Sequence, residues 1–143
     1  MKQKLMSLSF KRRIPASPTA VYDAWLDPKS RSNGAPWQEE ADRRVFKPKA
    51  GSLYYFHQTH SGIDYPHFGR FVRLQRGKLI QMTWMSPMTK GLESELTLSL
   101  VKKGAETMLT LKHGKLPVGP EGMAHDDGWK YYLDNFVGHF EKA

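Results

Sequence analysis

The segment Gly128-Trp129-Lys130-Tyr131-Tyr132-Leu133-Asp134-Asn135-Phe136-Val137-Gly138-His139-Phe140 decides the fold. Its apolar side chains recur at i, i+3, i+4, i+7, i+8 and i+11, so Trp129, Tyr132, Leu133, Phe136, Val137 and Phe140 form one stripe of an amphipathic helix. Asp126 and Asp127 near its start and Lys142 at its end suit the helix dipole. Each such side chain is worth about 1.5–3 kcal/mol when buried. The stripe therefore needs a large apolar surface to lie on.

The chain before it supplies that surface as strands. In 92–100, Leu96, Leu98 and Leu100 share one face while Glu95, Thr97 and Ser99 share the other, the alternation of a sheet with one buried and one wet side. Ile80, Met82 and Trp84 alternate in the same way, as do Met6, Leu8 and Phe10, with Ile14 beyond. Further strands are predicted near 37–46, 52–59, 67–75, 78–85, 92–102 and 105–113, separated by turns at Pro48 to Gly51, Ser61-Gly62, Arg76-Gly77, Ser86-Pro87 and Lys103-Gly104. Ser17-Pro18 is an N-cap followed by Pro at the first helical position, which predicts a short helix over 19–26 ended by Asp27-Pro28.

Composition bounds what such a chain can do. Its 143 residues make one domain, and 39% apolar content with 12 Gly is an ordinary globular balance. With no Cys, a disulfide framework, a thiolate zinc site and a cysteine nucleophile are excluded. No apolar run is long enough for membrane insertion. Residues 1–13 read as a strand and not as a signal peptide, so the expected location is cytoplasmic. The net charge of +8 is spread along strands; no helix presents a basic face, and specific nucleic-acid binding is not expected.

Seven strands about 4.8 Å apart are far wider than one helix about 10–12 Å thick. The sheet must curl round the helix, and the space between them is either packed core or pocket. Trp129, Tyr132, Leu133 and Phe136 on the helix, with Trp37, Tyr54, Phe56, Phe68, Met82 and Trp84 on the sheet side, are the candidate lining. A one-residue shift of register would exchange Tyr54 and Phe56 for Leu53 and Tyr55.

His125, four residues before Trp129, and His113, closing the strand of Leu109 and Leu111, are the candidate polar anchors. They could instead form an acid–base pair, or simply bond nearby carbonyls, and no inward carboxylate partner is identifiable. His57, His60, Asp64 and His67 are the one cluster that looks like metal ligands, but 57 and 60 face opposite sides of a regular strand. Neither a metal nor a cofactor is expected. Nucleophile-elbow, phosphate-loop and dinucleotide fingerprints are missing, and no catalytic residue is assigned.

Seven pieces in order carry a family resemblance: Val21-Tyr22-Asp23-Ala24-Trp25-Leu26-Asp27-Pro28, Gly51-Ser52-Leu53-Tyr54, Gly69-Arg70-Phe71, Met82-Thr83-Trp84, Glu93-Ser94-Glu95-Leu96-Thr97-Leu98, Leu109-Thr110-Leu111-Lys112-His113 and Gly128-Trp129-Lys130-Tyr131-Tyr132-Leu133. Over nearly its whole length the chain resembles SRPBCC proteins, most closely the branch named after the activator of the 90-kDa heat-shock-protein ATPase. It departs from that branch at Ala50-Gly51, where a paired glycine is usual. The resemblance implies an α+β helix-grip, or START-like, fold. Its curved antiparallel sheet of six to seven strands wraps a long C-terminal helix, with two short helices after the first strand.

The resemblance also implies binding of an apolar small molecule, a lipid, polyketide or aromatic metabolite, between helix and sheet. Two alternatives stand beside it. One is a chaperone ATPase co-activator or other protein-interaction module; the other is a cyclase-like enzyme acting on a bound aromatic substrate. Fold alone does not choose among them.

Overall fold

A computed structural model describes residues 4–27 and 44–142. Strand β1 (Leu5–Ile14) leads into helix α1 (Pro18–Trp25), then β2 (Leu53–His60), β3 (Ile63–Gln75), β4 (Leu79–Trp84), a 3-10 turn (Pro87–Thr89), β5 (Ser94–Lys103), β6 (Glu106–Pro117) and helix α2 (Pro120–Glu141). The strands form one antiparallel sheet in the order β1-β6-β5-β4-β3-β2. The first and last members are brought together at one edge.

The two helices start as their sequences dictate. The Ser17 hydroxyl accepts from the Ala20 N–H at 3.2 Å and Pro18 occupies the first turn of α1. Helix α2 begins at Pro120, ahead of the stripe that announces it, because Pro120 again sits where a missing N–H costs nothing. Strand β6 runs on to Pro117 beyond its expected end at 113. Only two residues then separate sheet from helix.

Helix α2 lies on the concave side with Trp129, Tyr132, Leu133 and Phe136 buried, as the periodicity requires. It is tied to the edge strand by an ion pair from Arg12 Nε to Asp134 Oδ1 at 2.9 Å. Trp25 of α1 wedges against Trp129 and Phe136, with ring centroids 6.4 and 4.9 Å away. From the sheet, Phe10, Ile14, Phe71, Ile80, Met82, Leu96, Leu98, Leu109 and Leu111 complete the core.

Two glycines permit the closest approaches. A Cβ on Gly69 would stand 2.4 Å from the Thr83 carbonyl oxygen, and the adjacent Arg70 N–H bonds the Thr83 hydroxyl at 3.0 Å. A Cβ on Gly122 would stand 1.8 Å from the Pro117 carbonyl oxygen. The first turn of α2 can thus press directly on the end of β6.

Several expectations change. The strand predicted near 37–46 lies outside the described residues up to 43, and beyond that it is only a bridge from Val45 to Tyr55. The described sheet accordingly has six strands. One short helix follows β1 among the described residues; the place for a second, like Trp37, lies outside them. Strand β3 begins at Ile63, not near 67, because the Ser61-Gly62 turn makes a tight hairpin with β2 in full register from His60 and Ile63 to Leu53 and Arg70.

Candidate functional site

Strands β2 to β4 and helix α2 enclose a partly open cavity of about 230 Å³, lined by Gln58, Tyr65, His67, Trp84, Ser86, Met88, Ala124, His125, Gly128, Trp129 and Tyr132. Period-two geometry explains the sheet side. Tyr54, Phe56 and Gln58 share the inner face of β2, which settles the register in favour of Tyr54 and Phe56; Leu53 is exposed. Across the ladder, Tyr65, His67, Gly69 and Phe71 share the inner face of β3.

Phe68 is therefore not a lining residue. It points outward at 43% exposure, and its neighbour His67 takes the inner position, because one step along a strand reverses the face. The His67 ring stacks on Phe56, with centroids 4.9 Å apart and 4° between planes, and its Nδ1–H donates to the Tyr65 carbonyl at 2.8 Å.

Of the other residues proposed from sequence, Trp84, His125, Trp129 and Tyr132 reach the cavity. Tyr54, Phe56, Met82, His113, Leu133 and Phe136 are buried behind that wall and do not touch the opening. Gln58, Tyr65, His67, Ser86 and Met88 also line the cavity but are not among the lining residues expected from the sequence, where His67 stands only in the hairpin cluster. The first three were signalled by the same alternation that selects Tyr54, Phe56 and Phe71, while the last two sit on the turn after β4.

Behind the wall, one chain of hydrogen bonds joins helix to sheet. The Trp129 indole Nε1–H donates to His113 Nδ1 at 2.9 Å. That fixes Nδ1 as an acceptor, so the proton of the neutral ring sits on Nε2 and is donated to Ser94 Oγ at 2.7 Å. The Ser94 hydroxyl then donates to the Trp84 carbonyl at 2.5 Å. Both cavity tryptophans are thereby held by one buried imidazole. Burial, with His125 and His67 nearby, pushes His113 well below the usual histidine range.

His125 is anchored differently. Its Nδ1 lies 3.1 Å from the Gly122 carbonyl and 3.2 Å from that of Glu121, a shared bond that makes Nδ1 the donor and Nε2 the acceptor of the neutral ring. Burial lowers its pKa, and the two backbone carbonyls oppose that. His113 and His125 meet edge to face, centroids 5.0 Å apart, with Nδ1 of one turned to the helix backbone and both nitrogens of the other already engaged.

Among the described residues, the lining contains neither carboxylate nor ammonium nor guanidinium group. Two buried donors of the wall, Gln58 Nε2 and Trp84 Nε1, meet no acceptor among the described residues. Such donors are costly unless something bonds them. In the hairpin cluster, His57 faces Tyr55 and Asp64 on the outer side while His67 is on the inner side, the His60 side chain lies outside the described residues, and no group of three ligating residues forms among the described ones.

A curved sheet gripping a terminal helix over a lined cavity defines a helix-grip domain. The profile of the family described as Activator of Hsp90 ATPase homolog 1-like protein matches residues 15–141, and the chain belongs to that family. Solved structures share the fold. Protein CV1439 from Chromobacterium violaceum is 21% identical, with 94% of this chain and 96% of that one covered and a TM-score of 0.76. The Aha1 dimer from Colwellia psychrerythraea is 18% identical over 95% of this chain and 96% of that one, TM-score 0.74. DynU16, a protein of the dynemicin biosynthetic locus, is 17% identical over 94% of this chain and 47% of that one, TM-score 0.73. Comparison with curated proteins gives no match. No helix among the described residues is long and apolar enough to cross a membrane.

Proposed function

We propose that this protein binds one small, mostly apolar molecule between α2 and strands β2 to β4. The observation that carries the reading is the cavity itself: aromatic walls, about 230 Å³ of space, and two buried donors in the wall with no protein acceptor among the described residues. Size narrows the guest. An engineered cavity of about 150 Å³ holds benzene, and drug-sized sites start near 300 Å³. One or two rings, or a short acyl chain, fit here, and a long-chain lipid does not. The cytoplasm is the location that fits this role.

Native mass spectrometry of protein purified from its host is expected to show a low-mass guest released on mild activation. Uptake of an environment-sensitive dye by the emptied protein is expected to accompany it. A bare mass together with a silent dye would remove the reading.

A second reading follows from the family description and from the outer face of β2 and β3, where Leu53, Phe68 and Val72 are exposed. Exposed apolar side chains on one sheet face suit a protein partner, here a chaperone ATPase. Added to the host's chaperone, the protein is then expected to raise ATP turnover, and Phe68→Asp to weaken that effect. Unchanged turnover with the unaltered protein would eliminate the chaperone role.

A further inference from the structure

Resting on the ligand-binding reading, the polar groups of the cavity specify what kind of guest it accepts. On the sheet side, the Gln58 residue is 6% exposed and its carboxamide nitrogen has no acceptor among the described residues. A guest must therefore bring an acceptor. On the helix side, His125 is 8% exposed and has committed its Nδ1–H to the Glu121 and Gly122 carbonyls, so the nitrogen it can offer a guest is Nε2, an acceptor in the neutral ring. A guest must also bring a donor. The indoles of Trp84 and Trp129, whose centroids are 5.0 Å apart, line the same cavity.

We propose that the cavity holds a small aromatic carboxylic acid together with one proton, the acid carbonyl accepting from the Gln58 amide and the acid O–H donating to Nε2 of His125. A carboxyl group supplies acceptor and donor in one unit, and the aromatic walls suit the ring that carries it. The proton is required because no Lys or Arg among the described residues lines the space, and a bare carboxylate there would be desolvated without a counter-charge. In the bound state the proton lies between the acid oxygen and Nε2. Charge balances whichever of the two it sits closer to.

The titratable groups around His125 reinforce this. His113 faces it from β6, while Tyr65 and His67 from β3 and Tyr132 from α2 share the cavity wall. Glu121, on its own helix, meets it through the backbone carbonyl. With no lining carboxylate among the described residues to hold a proton on His125 in the empty protein, the proton arrives with the guest. Burial acts in the same direction, since it lowers the pKa of His125.

The test is calorimetry with naphthoic acid and with methylnaphthalene, which has a similar shape but neither donor nor acceptor. Titrations are run from about pH 7.5 to about pH 5.5 in buffers of different ionisation enthalpy, which reveal proton uptake. Naphthoic acid is expected to bind more tightly than the hydrocarbon near the acid end. Its affinity should rise about tenfold per unit of acidification, with one proton taken up per acid bound. Gln58→Leu and His125→Phe should each cut the preference for acid over hydrocarbon about tenfold, the effect of one lost buried hydrogen bond. Gln58→Leu alone suffices where the histidine variant does not fold.

Equal or tighter binding of the hydrocarbon, or acid binding with no proton uptake, would overturn the proton-coupled acid site and leave an apolar pocket standing. Binding of neither probe would overturn the pocket as well.

Discussion

Gly122→Ala is expected to be among the most destabilising single-methyl additions in this chain, lowering stability by about 3 kcal/mol or more. In most helices alanine improves on glycine by roughly 1 kcal/mol, so ordinary propensity predicts the opposite sign. Space decides it. The new Cβ would stand 1.8 Å from the Pro117 carbonyl oxygen and 3.1 Å from its carbon, both backbone atoms that cannot turn aside as a side chain would. Relief requires lifting the first turn of α2 off the end of β6, with only Val118 and Gly119 between the two elements to absorb the shift.

That movement would also disturb the site. The Gly122 carbonyl accepts from His125 Nδ1, and His125 and Trp129 stand on the next two turns of the same helix. Chemical denaturation and dye binding should therefore fail together in Gly122→Ala. Gly138→Ala is the control, since a Cβ there meets nothing within 4 Å and the residue is not part of the cavity lining. The control should hold or gain stability, and a Gly122→Ala protein as stable as it would show that helix and strand are less tightly docked than described.

The fold was legible because its two halves carry different periods. The stripe from Trp129 to Phe136 can be satisfied only by a helix with one buried face, and Leu96, Leu98 and Leu100 only by a half-buried strand. The candidate site was legible where it uses aromatic residues at those same positions, namely Trp84, Trp129 and Tyr132. It was obscured where function places a polar side chain on an inner face. Gln58 and His67 hold positions that alternation assigns to the core, and hydropathy argues against both.

Phe68 shows the same effect from the other side. Being apolar it was assigned inward, yet Arg70 shares its face and marks that face as wet. Ser86 and Met88 leave no periodic trace at all, because they enter the wall from a 3-10 turn held by a reciprocal cap between Ser86 and Thr89. Local turn chemistry is readable there, but what the turn faces is set by tertiary packing.

The buried imidazole of His113 makes the second large effect a matter of pH. In the folded chain its Nδ1 accepts from Trp129, so protonation would set an N–H against the indole N–H at 2.9 Å in the buried interior. The folded protein therefore holds the ring neutral far below its ordinary value of about 6.5, while the unfolded chain takes up a proton there as usual. Above about pH 6.5 both states are neutral and His113 contributes no pH dependence. As pH falls below that value the unfolded state binds more protons than the folded one, and stability declines until the folded ring itself titrates. His125, also lowered by burial, adds to the decline with the same sign.

Thermal unfolding is accordingly expected to be flat from about pH 8 to pH 7 and to drop steeply towards pH 5, each unit of difference in pKa being worth about 1.4 kcal/mol. His113→Leu should be destabilised at neutral pH by about 2–4 kcal/mol, because the Trp129 N–H then stays buried without an acceptor and Ser94 loses a donor, and by less as the pH falls. Its remaining acid sensitivity should be smaller than that of the unaltered protein, since the group responsible for the larger share of the slope is gone. His113→Gln separates charge from contact: its amide can accept from the indole and donate to Ser94 but does not titrate, so part of the neutral-pH loss should return while the acid slope stays shallow. An undiminished slope in both variants would assign the acid sensitivity to other groups and refute the neutral, proton-ordered link between Trp129 and Trp84.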